Sequence, residues 1–225
     1  MKTLMIFDVD GTLLDSAGLH HDLITAVLAR DGLDVTFQPW NSYRHYTDLG
    51  VLSELFSHAH GRVIGPDELA HYGKAYEAAL LDHLASAQLQ EIAGAKSLLA
   101  ALAARDDVAI AFATGSLRRM ARVKLGLLGI EADHVALATG GEHLTREDMV
   151  RHAALLAGAR AGEPVETLIL GDGLWDQRAA EALGIRFVAL QTGAYVFGEG
   201  PALTIPDFRN LQADDLLKLA GPAVF

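Results

Sequence analysis

The chain has 225 residues, a formal net charge of -11 and a hydrophobic share of 51%. Such a length and apolar content support one sizeable domain, or a core with a small insertion, and exclude wholesale disorder. The absence of cysteine removes disulfides, thiolate metal sites and a cysteine nucleophile, and the acidic balance argues against nucleic-acid partners.

The chain opens on Leu4-Met5-Ile6-Phe7, an apolar run without a polar break, which predicts a strand buried on both faces. It ends in Asp8-Val9-Asp10-Gly11-Thr12. Gly11 lets the backbone turn there. Carboxylates so placed offer one group to attack, a second to move a proton, and oxygens for a divalent cation. The plain alternative is a solvated acidic turn.

Residues 15–88 read as helices and loops with no convincing strand. Asp15 or Ser16 caps a helix running to about Arg30, and Thr47 or Asp48 caps another. A third runs from Asp67 to about Leu84. Between the first two lies an aromatic and polar stretch, Phe37 to Asp48, with no clean period.

From Gly94 onward strands and helices alternate. A helix over 95–104 leads to a strand over 108–113, which ends in Thr114-Gly115-Ser116. A helix over 117–127, a short strand over 135–137 and a helix from Thr145 to about Ala157 follow. The strand over 167–170 ends in Gly171-Asp172, and a helix closes at Gly184. A strand over 186–190, a weak strand over 203–205 and a helix over 212–219 complete the chain.

This alternation predicts an α/β fold, a Rossmann-like parallel sheet with helices on both faces. The core would comprise residues 1–14 and 89–225, with a small helical cap over 15–88. Ligands in such sheets sit beyond the carboxyl ends of the strands, where the three polar strings would converge. The first residues lack a basic region followed by an apolar stretch, and 98–104 is too short to span a bilayer. The expectation is a cytoplasmic protein without a membrane partner.

Asp8-Val9-Asp10-Gly11-Thr12 resembles the first signature of the haloacid dehalogenase (HAD) superfamily of phosphatases and phosphotransferases. The resemblance makes Asp8 the nucleophile and Asp10 the general acid and base, with the Asp10 main-chain carbonyl a metal ligand. Thr114 with Gly115, and Ser116 beside them, is similar to the second signature, a cradle for phosphoryl oxygens. Gly171-Asp172-Gly173-Leu174-Trp175-Asp176 resembles the fourth. It makes Asp172 a direct Mg²⁺ ligand, with Asp176 ligating through water or supporting a ligand. Asp8, Asp10, Asp172 and Asp176 thus form the implied metal set.

The third signature departs from the pattern. Relatives carry a Lys there, and no Lys-Pro string occurs here. Lys124, well inside a helix, is expected to lie far from the site. Arg146, at the start of the helix after Thr145, takes that place, since a guanidinium neutralises the same charges. In the cap, Tyr43-Arg44-His45 is electropositive, and Arg44 would suit a second anionic group on the substrate.

The implied activity is a Mg²⁺-dependent phosphatase acting on a small phosphorylated metabolite, similar to the phosphoglycolate phosphatase-like branch. Asp10 disfavours a dehalogenase, and the lack of a suitable cap Lys disfavours a phosphonate hydrolase. Two alternatives stand beside it: a sugar-phosphate mutase, and a non-catalytic homologue that binds phosphate or a partner.

Overall fold

The computed structural model describes residues 2–161, 166–193 and 195–222. Its centre is a seven-stranded sheet with β1 (Thr3–Phe7) between β2 (Val108–Thr114) and β4 (Glu166–Gly171). The order β3-β2-β1-β4-β5-β6 adds β3 (Ala136–Thr139), β5 (Arg186–Leu190) and β6 (Leu203–Ile205), all parallel to their neighbours. A short antiparallel strand β7 (Gly221–Pro222) pairs with β4. The α/β expectation therefore holds, and β1 lies where the strand order reverses.

Alternation along β1 divides the core. Met5 and Phe7 point to one face, where Leu98, Leu102, Leu125 and Leu216 cover them from α4 (Ala95–Ala103), α5 (Arg118–Leu127) and α8 (Ala213–Leu219). Leu4 and Ile6 point to the other, beneath α6 (Arg146–Ala161) and α7 (Leu174–Leu183). On that second face Ala109, Ala111 and Ala113 meet Ala153, Ala154 and Ala157. Small side chains on both sides let α6 approach the sheet closely. Each buried Leu or Phe contributes about 1.5–3 kcal/mol by leaving water, so a strand buried on both faces is a strong folding anchor.

Between β1 and α4 the chain forms α1 (Ala17–Arg30), two short 3-10 turns, α2 (Asp48–His60) and α3 (Pro66–Leu84). These helices share a separate apolar cluster built on Ile24, Leu28, Leu52, Leu55, Tyr76 and Leu80. Leu117 and Met120 of the α5 region join it from the core side. The outgoing and returning chains meet at Leu14 and Glu91, and the Asp15 N–H donates to the Gln90 carbonyl at 2.9 Å. Thr47 caps α2 by accepting from the Gly50 N–H. Its neighbours tie the helical segment to the sheet: Asp48 N–H donates to the Gly115 carbonyl and Leu49 N–H to that of Gly140. Among the described residues no helix is long and apolar enough to cross a membrane.

Candidate active site

Parallel register sets the site. Phe7 aligns with Phe112 of β2 and Leu170 of β4, so the residues following all three strands emerge at one level. The same edge receives Arg146, the first residue of α6. Asp8, Asp10, Thr114, Gly115, Ser116, Arg146 and Asp172 line one cavity of about 420 Å³.

Asp8, Asp172 and Asp176 are buried, and their carboxylate oxygens lie within 4.8 Å of one another. Burial, then mutual repulsion, raises the Asp8 and Asp172 carboxyls, Asp8 well above its ordinary range and Asp172 to about 8. Asp176 is raised by burial, although Arg146 opposes the shift. Arg146 Nη1 lies 2.8 Å from Asp176 Oδ1 and 3.5 Å from Asp8 Oδ1. The longer contact is an ion pair rather than a hydrogen bond, and Asp8 Oδ1 accepts no hydrogen bond. Three buried carboxylates facing one guanidinium leave negative charge uncompensated. This donor set fits a hard divalent cation, which takes oxygen ligands and is often held by few carboxylates.

Two local features hold these groups. Gly11 has φ +75°, in the left-handed region, and a Cβ there would overlap the Asp172 carboxylate. Asp172 also accepts a hydrogen bond from Thr12 Oγ1 at 3.3 Å. Gly115 lies under Arg146: a Cβ there would come within 2.6 Å of Nη2. Asp176 in turn accepts from the Gly173 N–H at 3.2 Å, closing the first turn of α7.

Asp10 faces a different set of partners. Its carboxylate accepts from Ser16 Oγ at 2.5 Å and Ser116 Oγ at 2.7 Å, and Lys124 Nζ lies 2.5 Å away. Burial alone would raise this carboxyl. Lys124 and His20 outweigh it, aided by hydrogen bonds from Lys124 and Ser16, and hold Asp10 far below the ordinary carboxylate range. Lys124 also donates to Ser116 Oγ at 3.1 Å and lies 3.1 Å from His20 Nδ1. His20 Nε2 lies 3.0 Å from Asp48 Oδ1. Asp48 accepts from the Leu117 N–H at 2.7 Å. A chain of polar contacts thus runs from Asp10 in the core to Asp48 in α2.

Lys124 corrects the expectation from sequence: it is 1% exposed and touches Asp10. Its signal was helical spacing, because Met120, Ala121, Lys124 and Leu125 form the buried stripe of α5. Arg146 reaches the carboxylates, held by its Nε donating to the Tyr46 carbonyl at 3.0 Å. Thr114 is fully buried and accepts from the Ser116 N–H, while the Ser116 hydroxyl is committed to Asp10. Arg44 is not among the residues lining this cavity. It is exposed, its backbone N–H donates to Glu54, and it borders a neighbouring cleft with Arg178.

Sequence reasoning also missed an aromatic wall. His21 stacks on Trp40 at 4.3 Å between centroids, Tyr46 stacks on Trp175 at 3.7 Å, and Tyr195 meets Trp175 edge-on at 5.2 Å. All five line the cavity.

The carboxylates stand at the topological switch of an α/β sheet, where ligands bind in such folds. Residues 2–184 match the haloacid dehalogenase-like hydrolases, and the chain belongs to that family. It is 30% identical over 220 residues to a phosphoglycolate phosphatase of Yersinia pseudotuberculosis serotype I (strain IP32953), spanning 96% of this chain and 91% of that one. Family and relative together make this chain a phosphatase. Among solved structures it is similar in fold to a hydrolase from Pseudomonas syringae, at TM-score 0.74 and 23% identity, covering 98% of this chain and 100% of the other. It is likewise similar to CbbY from Rhodobacter sphaeroides in complex with phosphate, at TM-score 0.70 and 21% identity, covering 94% and 96%.

Proposed function

We propose that the chain is a Mg²⁺-dependent phosphatase that hydrolyses a small phosphorylated metabolite through an aspartyl-phosphate on Asp8. The observation that carries this reading is the buried trio Asp8, Asp172 and Asp176, with an Asp8 oxygen accepting no hydrogen bond beside Arg146. Asp8, the Asp10 main-chain carbonyl, Asp172 and Asp176 would hold the metal. Bound there, it would neutralise charge on the transferring phosphoryl group.

The chain's own residues then divide the work. An Asp8 oxygen attacks phosphorus in line, the ester P–O bond breaks, and the departing alkoxide takes a proton from Asp10. Asp10 rests ionised, so the proton it gives the alkoxide is one it first takes up from solvent, as the arriving phosphate dianion raises its proton affinity. Water next attacks the phosphoryl group and gives its proton to Asp10, releasing phosphate and restoring Asp8. The Thr114 hydroxyl and Gly115 N–H are suited to the equatorial oxygens, and Arg146 supplies the cation of the third signature. The helical segment 15–88 acts as the cap over a core of 1–14 and 89–225, which restricts the substrate to small esters.

The test is phosphate release from small phosphate esters with Mg²⁺ and with a chelator. Wild type should turn over only with metal, and Asp8→Asn should be inactive. Undiminished turnover by Asp8→Asn would remove the nucleophile assignment, and production of an isomerised sugar phosphate without free phosphate would favour the mutase.

A further inference from the structure

Beyond the carboxylates, Arg146 and the polar groups of His20, Thr47, Thr114 and Ser116, the cavity is walled by aromatic rings. Its far wall is His21, Trp40, Tyr46, Trp175 and Tyr195, contributed by α1, the loop before α2, α7 and the segment after β5. Each cationic side chain at its edge already has a partner. Arg146 serves Asp176, Asp8 and the Tyr46 carbonyl. Lys124 is committed to Asp10, and Asp48 to His20 and the Leu117 N–H. His21 is held by the Tyr46 hydroxyl at 2.8 Å, and burial pushes its imidazole down to about 4, so it is neutral near pH 7. Arg44 and Arg178 line a neighbouring cleft that shares Tyr46, Arg146, Trp175 and Tyr195 with this cavity.

A carboxylate on the leaving group would therefore be desolvated against aromatic rings without a cation to receive it, which is costly. A ring is the opposite case, since flat faces are what a stacked aromatic wall accepts. We propose that the substrate is the phosphate monoester of a neutral, ring-bearing alcohol, with its ring against the Trp40 and Tyr46–Trp175 faces, rather than a phosphorylated carboxylic acid. The inference rests on the phosphatase reading above and names the substrate class of that site. Aromatic rings and the C–H faces of sugar rings share this chemistry.

The experiment measures kcat/KM with Mg²⁺ for benzyl phosphate, a hexose monophosphate, phosphoglycolate and ethyl phosphate, the last having neither ring nor carboxylate. At least one ring ester should exceed phosphoglycolate by on the order of tenfold or more; which one leads identifies the ring as aromatic or sugar. Trp40→Leu should raise KM for that ring ester by a larger factor than for ethyl phosphate. Trp40→Arg, which supplies the missing cation, should narrow or invert the preference over phosphoglycolate. Phosphoglycolate preferred by the wild type, with turnover still dependent on Asp8, would overturn this inference alone. No release from any ester, ethyl phosphate included, would overturn the phosphatase reading and this inference with it.

Discussion

Lys124→Met tests whether the buried polar chain behind Asp10 is as consequential as its geometry implies. The ammonium is 1% exposed and lies 2.5 Å from a carboxylate that is itself 12% exposed, with His20 and Ser116 each at 3.1 Å. Removing one partner of a buried ion pair typically costs about 3–5 kcal/mol. Asp10 keeps the Ser16 and Ser116 hydroxyls, and Met refills the stem, so we place the loss at the low end, about 3 kcal/mol. In a chain of this length that lowers Tm by roughly 6–12 °C. Urea melts of wild type, Lys124→Met and Lys124→Met/Asp10→Asn provide the assay, because replacing both partners removes the stranded charge and should recover much of the loss. The kinetic signature is separate. Without Lys124 the Asp10 carboxyl gains proton affinity, and because Asp10 gives its proton in the first step, the alkaline limb of the kcat/KM profile should move to higher pH. A loss under about 1 kcal/mol, or a double variant no more stable than the single one, would refute the reasoning.

The carboxylate trio predicts the opposite pH response. Asp172 is raised in the folded protein, to about 8, above its unfolded value, so the metal-free protein should lose stability as pH climbs from about 4 towards 8. The slope is at most about 1.4 kcal/mol per pH unit for each group. Mg²⁺ should relieve it, and a metal-free Tm that is flat or rising over that window would contradict the charge arrangement. Gly11→Ala forces a left-handed residue, costing roughly 1–2 kcal/mol, and drives a methyl group into the Asp172 carboxylate. Activity and Mg²⁺ affinity should fall further than a Tm shift of that size explains, as calorimetric titration would show. Arg146→Lys should retain more phosphate release than Arg146→Ala, since a point charge keeps neutralisation while losing the fork to Asp176 and the Tyr46 carbonyl; equal activities would leave Arg146 without that role.

Much of this architecture was legible because it is local. A four-residue apolar run ending in a turn signal, such as Leu4 to Phe7, reads as a buried strand, and polar strings at such ends mark the sheet edge that holds Asp8, Thr114 and Asp172. Boundaries moved where pairing decides them: β3 covers Ala136–Thr139 because Thr139 aligns with Thr114 of β2. β7 carried no apolar run to announce it. Lys124 was legible in principle, as one more position on the α5 stripe, but sequence distance hides what a helix face brings together. The aromatic wall had no linear signal. Trp40, Tyr46, Trp175 and Tyr195 come from separate segments, and only the fold stacks them.

The central claim is a covalent phosphoryl group on Asp8, and the direct measurement is to catch it. Enzyme mixed with a turned-over ester and Mg²⁺, acid-quenched within a single turnover and mapped by peptide mass spectrometry, should carry one phosphoryl group on the peptide containing Asp8. Asp8→Asn should carry none. Label on another residue, or burst-free turnover with no label on wild type under conditions that preserve acyl phosphates, would contradict the account.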